Sequence, residues 1–315
     1  MKKGTGAYLI TGGAGFIGSH IAEELAHRGI QVRVIDNNST GNRENLYPLY
    51  GDIQVWDGGI LDYEMCLKMV EGIDFVLHLA ALPSVHRSIE EPLLTTDVNI
   101  KGTLNMLLAS RKARVKRFIF ASSSSVYGNS LYATKREDDR ENPLSPYALS
   151  KLAGEYYCKI FNRLFGLYTV CLRYFNVFGP RQNSDSQYAP IIPSFISKML
   201  RGESPAIFGD GEQTRDFTYV SNAVEATILA SRARGVSGKV FNIGCGIKTS
   251  VNSLVSSINK ILKTNIAPNY VEAREADVKH SSADISKARK ALKYEPVVSF
   301  EEGLERTIRW HRRHR

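Results

Sequence analysis

Short apolar runs alternate with helical patterns through the first half of the chain, the rhythm of a parallel sheet covered by helices on both faces. The runs that read as strands are Ala7 to Thr11, Gln31 to Ile35, Ile53 to Trp56, Phe75 to Leu79, Arg117 to Ser122 and Tyr168 to Leu172. Between them, apolar positions at helical spacing predict helices over Phe16 to Arg28, Met65 to Glu71, Val98 to Ala113 and Tyr147 to Phe165. Gly29, Gly72 and Gly166 stand where three of these helices should close. After Gly179 and Pro180 the rhythm becomes irregular, with helical patterns over Pro193 to Arg201, Ser253 to Lys263 and Phe300 to His311. The run Val240 to Ile243 is placed to return to the main sheet, and the charged stretch Lys135 to Asn142 reads as an exposed loop.

A chain of 315 residues with 43% hydrophobic content can bury a large core, either one big α/β unit or two intimately joined domains. Cys66, Cys158, Cys171 and Cys245 are scattered, with neither zinc-ligand spacing nor a disulfide framework. Met1 runs straight toward the first strand, so no leader peptide is expected, and no apolar run approaches the roughly 20 residues that span a bilayer. A soluble, cytoplasmic protein without membrane insertion is the expectation. The net charge of +9 includes a cluster of Arg306, Arg309, Arg312, Arg313 and Arg315. It reads as a solvated helix end whose cations complement the helix dipole. Only Trp310 interrupts it as an aromatic, and no nucleic-acid partner is expected.

Residues 11 to 18 read TGGAGFIG between the first strand and the first helix, and Asp36 stands eighteen positions beyond Gly18. Glycines let backbone N–H groups approach a pyrophosphate, the helix N-terminus favours its charge, and an acid at the second strand end can accept from a ribose diol. An acid there repels a 2′-phosphate, and Asn37 and Asn38 bring no positive charge, so NAD is favoured over NADP, with Arg43 the one nearby cation.

Tyr147 and Lys151 lie four residues apart, about 1.1 helical turns, and therefore share a face. A phenol of reference pKa about 10 needs a neighbouring cation to act as a base near neutrality. Lys151 and a nicotinamide ring would both act in that sense. The serine run 122 to 125 at the end of the fifth strand offers a hydroxyl for the same substrate oxygen.

With these residues in place, the chain resembles the extended short-chain dehydrogenases/reductases, and within them the nucleotide-sugar 4-epimerases, over nearly its whole length. The matching segments are TGGAGFIGSH (11–20), LAALPSVHRSI (79–89), ASSSSVYG (121–128), SPYALSK (145–151), RYFNVFGPR (173–181), FGDGEQTRDFTYV (208–220) and READVKHSSAD (274–284). The resemblance implies a Rossmann-type doubly wound parallel sheet with a smaller, mixed α/β substrate-binding lobe. It assigns residues 1–176 and 220–247 to the NAD-binding domain, and 177–219 and 248–315 to the nucleotide-sugar lobe.

By position, it implies catalytic roles for Ser123, Tyr147 as base and Lys151 as its partner. Around NAD it places Gly12, Gly15, Phe16, Ile17 and Gly18 of the turn, Asp36, Asn37, Asn38, Ser39, Thr40 and Gly41 after the second strand, and Gly59 with Ile60. It adds Leu79, Ala80, Ala81, Pro83, Asn99, Tyr174, Asn176 and Val177, with Tyr147 and Lys151 again. Around a UDP-sugar it places Ser84, Arg87, Ser88, Ser123, Ser124, Ser125, Tyr147, Asn176, Ala189, Ile191, Phe208, Arg215, Arg274, Asp277 and Ser281. Arg215 and Arg274 match arginines that clamp the diphosphate, Phe208 lies where the family packs the uracil, and Asp277 where it contacts the uridine ribose. A homodimer paired through the helices at 98–113 and 147–165 is a further implication, and no metal is expected.

Related dehydratases carry an Asp-Glu pair after the catalytic hydroxyl, and uronate decarboxylases a Glu. Ser124 and Ser125 stand there in this chain, which favours a reaction confined to the sugar C4. Ser281 occupies the position of a bulky tyrosine in epimerases restricted to non-acetylated hexoses. Together with Ser84, Arg87 and Ser88, it suggests UDP-GlcNAc/UDP-GalNAc interconversion, with UDP-glucose/UDP-galactose as a further pair. Gly59 departs from the family's usual aspartate near adenine, leaving adenine to the Ile60 backbone or Asp57. The competing readings are a nucleotide-sugar reductase or dehydrogenase with net cofactor turnover, and a non-catalytic nucleotide-binding protein.

Overall fold

The computed structural model describes residues 6–130, 132–184, 189–273 and 279–314. Its main sheet consists of β1 (Ala7–Thr11), β2 (Gln31–Asp36), β3 (Gln54–Asp57), β4 (Phe75–His78) and β5 (Arg117–Ser123), joined by the later strands Thr169–Tyr174 and Lys239–Ile243. Across the sheet the order is Lys239–Ile243, Thr169–Tyr174, β5, β4, β1, β2, β3, and every neighbouring pair is parallel. The chain moves outward from β1 to β3 and then returns to the other side of β1. The crevice beyond the carboxyl ends of β1 and β4 is therefore the topological switch point, where such sheets bind their ligands.

Alternation along the strands makes both faces apolar. Tyr8 and Ile10 point into one layer with Ile119, Val170 and Leu172, whereas Ala7 and Leu9 point into the other with Val76, Phe118 and Phe120. Burial on both sides requires helices on both sides. Ile21, Ala22 and Leu25 of the helix Phe16–His27 cover the first layer. Met106 and Leu107 of Gly102–Lys112, with Cys158 and Phe161 of Pro146–Phe165, cover the second. The first layer continues unbroken through Phe195, Ile196, Leu254, Ile258, Leu304 and Ile308 of the second half. There a small mixed sheet orders Thr249–Ser250, Thr214–Arg215, His280–Ala283 and Thr134–Lys135.

The strands expected in the first half are all present, and Lys239–Ile243 does return to the main sheet as its edge. Gly29, Gly72 and Gly166 all adopt positive φ at helix ends. The expected helix from Val98 to Ala113 is interrupted, with a π-helical turn over Asp97–Lys101 preceding Gly102–Lys112. Val85–Glu90, Pro92–Thr96 and Val220–Arg232 are helices with no counterpart in the sequence reading.

The expected exposed loop holds over 136–142, where Arg136, Asp138, Arg140 and Asn142 are exposed, and is corrected at Lys135 and Glu137. Thr134–Lys135 is a strand against His280–Ala283, and the buried Lys135 Nζ donates to the carbonyls of Ser130 and Tyr132. Glu137 accepts from the Asn242 amide at 2.8 Å, and Asn242 Nδ2 donates to the Lys135 carbonyl at 2.9 Å. A sheet edge has amides that need partners, and this charged segment supplies them.

Candidate active site

Steric exclusion shapes the turn after β1. Gly12 has a φ of +71°, and a Cβ there would lie 2.8 Å from Ala80 N; at Gly18 it would lie 2.2 Å from the carbonyl oxygen of Gly12. The helix Phe16–His27 can therefore start against the loop, with Gly15 as an N-cap that supplies no side-chain acceptor. The first-turn N–H groups remain available to an anion, and the helix dipole reinforces them.

Asp36 braces this turn. Its Oδ2 accepts from Ala14 N at 2.9 Å and its Oδ1 from Asn38 N at 2.8 Å. Burial raises its pKa, opposed by the backbone amides of Asn38, Ala14 and Gly15. Asn38 takes a left-handed φ of 55°, Asn37 Oδ1 accepts from Ser39 N, and Ser39 and Thr40 are exposed. Gly41 packs on Ala14. At Gly59 a Cβ would lie 3.6 Å from Asn37 Nδ2, so an amide stands beside the position that lacks the family's carboxylate. Arg43 turns toward Tyr50, at 3.2 Å, and toward Asp57, at 3.9 Å. A glycine-rich turn, an open helix end and an acid at the second strand suit NAD.

Leu79, Ala80 and Ala81 follow β4 and face this turn; Pro83 beyond them is exposed. Beneath them runs a buried chain of hydrogen bonds. Thr103 Oγ1 donates to the Asn99 carbonyl at 2.6 Å, so it accepts from His78 Nε2–H at 3.0 Å. His78 Nδ1 then accepts from the Thr11 hydroxyl at 2.8 Å, and Thr11 Oγ1 accepts from Ala80 N at 3.2 Å. Burial, reinforced by the Lys151 charge, lowers the His78 pKa to about 3 and keeps the ring neutral. Asn99 clamps the Leu82 backbone, accepting at 2.8 Å and donating at 3.2 Å, and also donates to Ser150 Oγ at 3.0 Å. The cofactor turn is thus connected to the helix that carries Tyr147 and Lys151.

That helix, Pro146–Phe165, starts cleanly. Ser145 caps it by accepting from Ala148 N at 3.1 Å, and Pro146 fits the first turn. Lys151 is buried; its Nζ donates to the Ala121 carbonyl at 2.9 Å and lies 5.9 Å from the centre of the Tyr147 ring. Burial lowers its pKa to about 8. Burial raises the Tyr147 pKa, while a hydrogen bond with the Ser123 hydroxyl pulls it down. The Lys151 ammonium is thus held on the Ala121 carbonyl, one helical turn from the phenol whose deprotonation its charge was expected to favour. Ser123 Oγ also accepts from Ser125 N at 3.1 Å, as Ser124 and Ser125 open a short turn to Tyr127.

In the small mixed sheet, Arg215 and Ser281 are partners in the register of adjacent parallel strands. Arg215 Nη1 donates to the carbonyls of Thr214 and Lys279. Asn176, at a positive φ of 32°, donates to the Asp216 carbonyl at 3.3 Å. Val177 belongs to a short strand paired with Thr218–Tyr219, and the Tyr174 hydroxyl meets Thr227 at 2.7 Å. Phe208 ends a strand paired with Asn269–Val271. Ile191 opens a helix two residues after Ala189. Ser84 caps the helix Val85–Glu90, Arg87 pairs with Glu91 at 2.7 Å, and the buried Ser88 hydroxyl donates to the Val85 carbonyl. Arg274 and Asp277 lie outside the described residues.

Two elements of the site escaped the sequence reading. Asp216, fully buried, accepts from Cys245 N and Gly246 N at 2.8 Å and from Ala283 N at 3.0 Å, and burial raises its carboxyl. Glu155 and Arg173 form a buried ion pair below the serines. Glu155 stands four residues past Lys151 and Arg173 opens a quoted motif, the only signals that pointed to them.

The NAD dependent epimerase/dehydratase family profile matches residues 8–244. The UDP-N-acetylglucosamine 4-epimerase of Methanobrevibacter ruminantium, solved with UDP-N-acetylmuramic acid, is 40% identical with a TM-score of 0.94, covering 98% of this chain and 99% of its own. The UDP-glucose 4-epimerase of Thermotoga maritima, solved with UDP-glucose, is also 40% identical, with a TM-score of 0.93 and the same coverage. A UDP-N-acetyl-alpha-D-glucosaminuronate decarboxylase of Bacillus cytotoxicus is 38% identical over 323 residues, 99% of this chain and 98% of that protein.

Proposed function

This chain belongs to the NAD dependent epimerase/dehydratase family, and from that premise we propose that it inverts C4 of a UDP-hexose through a transient 4-keto sugar. The observation that carries the reading is the meeting of Ser123, Tyr147 and Lys151 at the carboxyl end of β5, on the side of the glycine turn. Gly12, Gly15 and Gly18 with Asp36 would hold NAD, which when bound accepts hydride from the sugar and returns it. Tyr147 Oη takes the proton of the C4 hydroxyl and later gives it back. The Ser123 hydroxyl donates to that oxygen as it gains carbonyl character. Lys151, protonated below about pH 8, keeps positive charge near the phenol while it is deprotonated. Arg215 is suited to grip the diphosphate while the keto sugar presents its other face.

Small groups at Ser281, Ser84 and Ser88 support UDP-GlcNAc/UDP-GalNAc as the preferred pair, with UDP-glucose/UDP-galactose also accepted. Ser124 and Ser125 supply no carboxylate for chemistry beyond C4, which separates this reading from a decarboxylase. Purified protein incubated separately with UDP-GlcNAc, UDP-glucose and UDP-glucuronate should yield C4 epimers of the first two, with no accumulation of reduced cofactor. Tyr147→Phe should lower turnover by about a hundredfold or more while NAD remains bound. Epimerisation by Tyr147→Phe at the wild-type rate defeats the assignment, and steady release of reduced nicotinamide identifies a dehydrogenase instead.

The same reading includes a homodimer. Leu149, Tyr156, Ile160 and Leu164 expose one apolar stripe along Pro146–Phe165, and Leu93, on the helix Pro92–Thr96 that packs against it, is 82% exposed. Light scattering should give twice the chain mass, and Tyr156→Glu with Leu164→Glu should give one. Among the described residues no helix is long and apolar enough to cross a membrane. The four free cysteines suit the reducing cytoplasm, where we place the protein.

A further inference from the structure

Beneath the reacting groups lies a pair of buried charges that the chemistry above does not use. Glu155 Oε1 accepts from Ser122 Oγ at 2.5 Å and from Arg173 Nε at 2.9 Å, while its Oε2 accepts from Arg173 Nη2 at 2.8 Å. Both side chains have no exposure. Arg173 Nη2 also donates to Glu141 at 2.7 Å, and the guanidinium carbon sits 4.6 Å from the centre of the Tyr127 ring.

The placement of these contacts is specific. Ser122 and Ser123 are successive strand residues, so their side chains leave opposite faces: Ser123 toward Tyr147, Ser122 toward Glu155. Ser122 is also the register partner of Arg173 on the adjacent strand. Glu155 lies one turn beyond Lys151 on the same helix. One carboxylate therefore joins the helix that carries the base, the strand that carries the hydroxyl and the strand beside it. A buried ion pair is a poor source of stability compared with apolar residues of similar volume. What a bidentate guanidinium and carboxylate provide is fixed angles.

We propose that Glu155, locked by Arg173, is a positioning residue that sets the separation of Ser123 from Tyr147 through the side chain of Ser122. The proposal rests on the epimerase reading for its effect on turnover, though not for the tether itself. Ser122→Ala removes the tether and leaves the ion pair. It should lower kcat about tenfold with KM and NAD content unchanged, because small displacements of reacting groups cost rate steeply. Its unfolding midpoint should fall only modestly, because Arg173 still donates to both carboxylate oxygens, and the amides of Ser123 to Ser125 should exchange hydrogen faster.

Glu155→Met combined with Arg173→Met replaces the pair by apolar volume. This double variant should recover the midpoint lost in Glu155→Met alone, with kcat still low. A purely structural role requires kcat to recover with the midpoint. Wild-type kcat in Ser122→Ala, or in the double variant, overturns the proposal. Should the wild-type protein convert no UDP-hexose, the epimerase reading falls, and the exchange rates alone decide: unchanged exchange in Ser122→Ala removes the tether, and faster exchange upholds it.

Discussion

Lys151 is asked to carry charge where charge is expensive. Its pKa falls from 10.5 to about 8 because burial penalises the ammonium, which corresponds to about 3 kcal/mol of lost stability at neutral pH, less the bond to Ala121. The unfolded lysine holds its proton up to pH 10.5, whereas the folded one releases it near pH 8, so stability rises with pH across that window. Lys151→Met should therefore raise the thermal midpoint at neutral pH, flatten the rise between pH 8 and 10.5, and abolish turnover. Calorimetry at several pH values checks the first two effects, and an epimer assay the third. Residues of this kind were legible because their signals are local. Tyr147 and Lys151 declare themselves by one helical turn, and Gly12 to Gly18 by a position between strand and helix. Asp216 and Arg173 gave no such signal, since Asp216 meets an amide 67 residues away and Arg173 a carboxylate 18 residues away.

Among the elements, the segment after the serines changes most between expectation and structure. Charge at Lys135, Arg136, Glu137 and Asp138 reads as solvent-facing, yet Glu137 completes the open edge of Lys239–Ile243. Glu137→Ala should expose the Asn242 amide and cost about 1–2 kcal/mol, read as a lower urea midpoint with an unchanged slope. Unchanged stability would show that the edge has another partner. Periodicity could not reveal this contact, because it reports which face of an element is apolar and says nothing about a polar group's distant partner. The same limit applies to the helix after β4. Apolar spacing indicated helix from Val98 onward, whereas the π-helical turn at Asp97–Lys101 positions Asn99 for Leu82 and Ser150. The strands and long helices of the first half, by contrast, follow directly from apolar runs buried on both faces.

For the whole molecule, two histidines contribute to the acid limit, His78 fully buried and His20 largely covered. Burial lowers His20 to about 4 and His78 to about 3, both from 6.5. Unfolded imidazoles take up protons below pH 6.5 while the folded ones do not, so stability is lost as pH falls from 6.5 toward 4. The carboxyls of Asp36 and Asp216, raised by burial, take up protons early in the folded state and offset part of that loss at the lower end. Thermal midpoints across this range should fall, and His20→Gln should flatten the slope. A midpoint that holds constant to pH 4 contradicts the neutral histidines.

The anchoring of Asp216 bears on how such a molecule can breathe. Its carboxylate grips amides just past the last strand of the main sheet and on the small sheet, while its own carbonyl meets Asn176. Separating those walls would strand a buried anion, so the two sides of the crevice are riveted at the floor. On the epimerase reading, a sugar nucleotide would then enter and leave by motions of the rim, without the two walls parting at the floor.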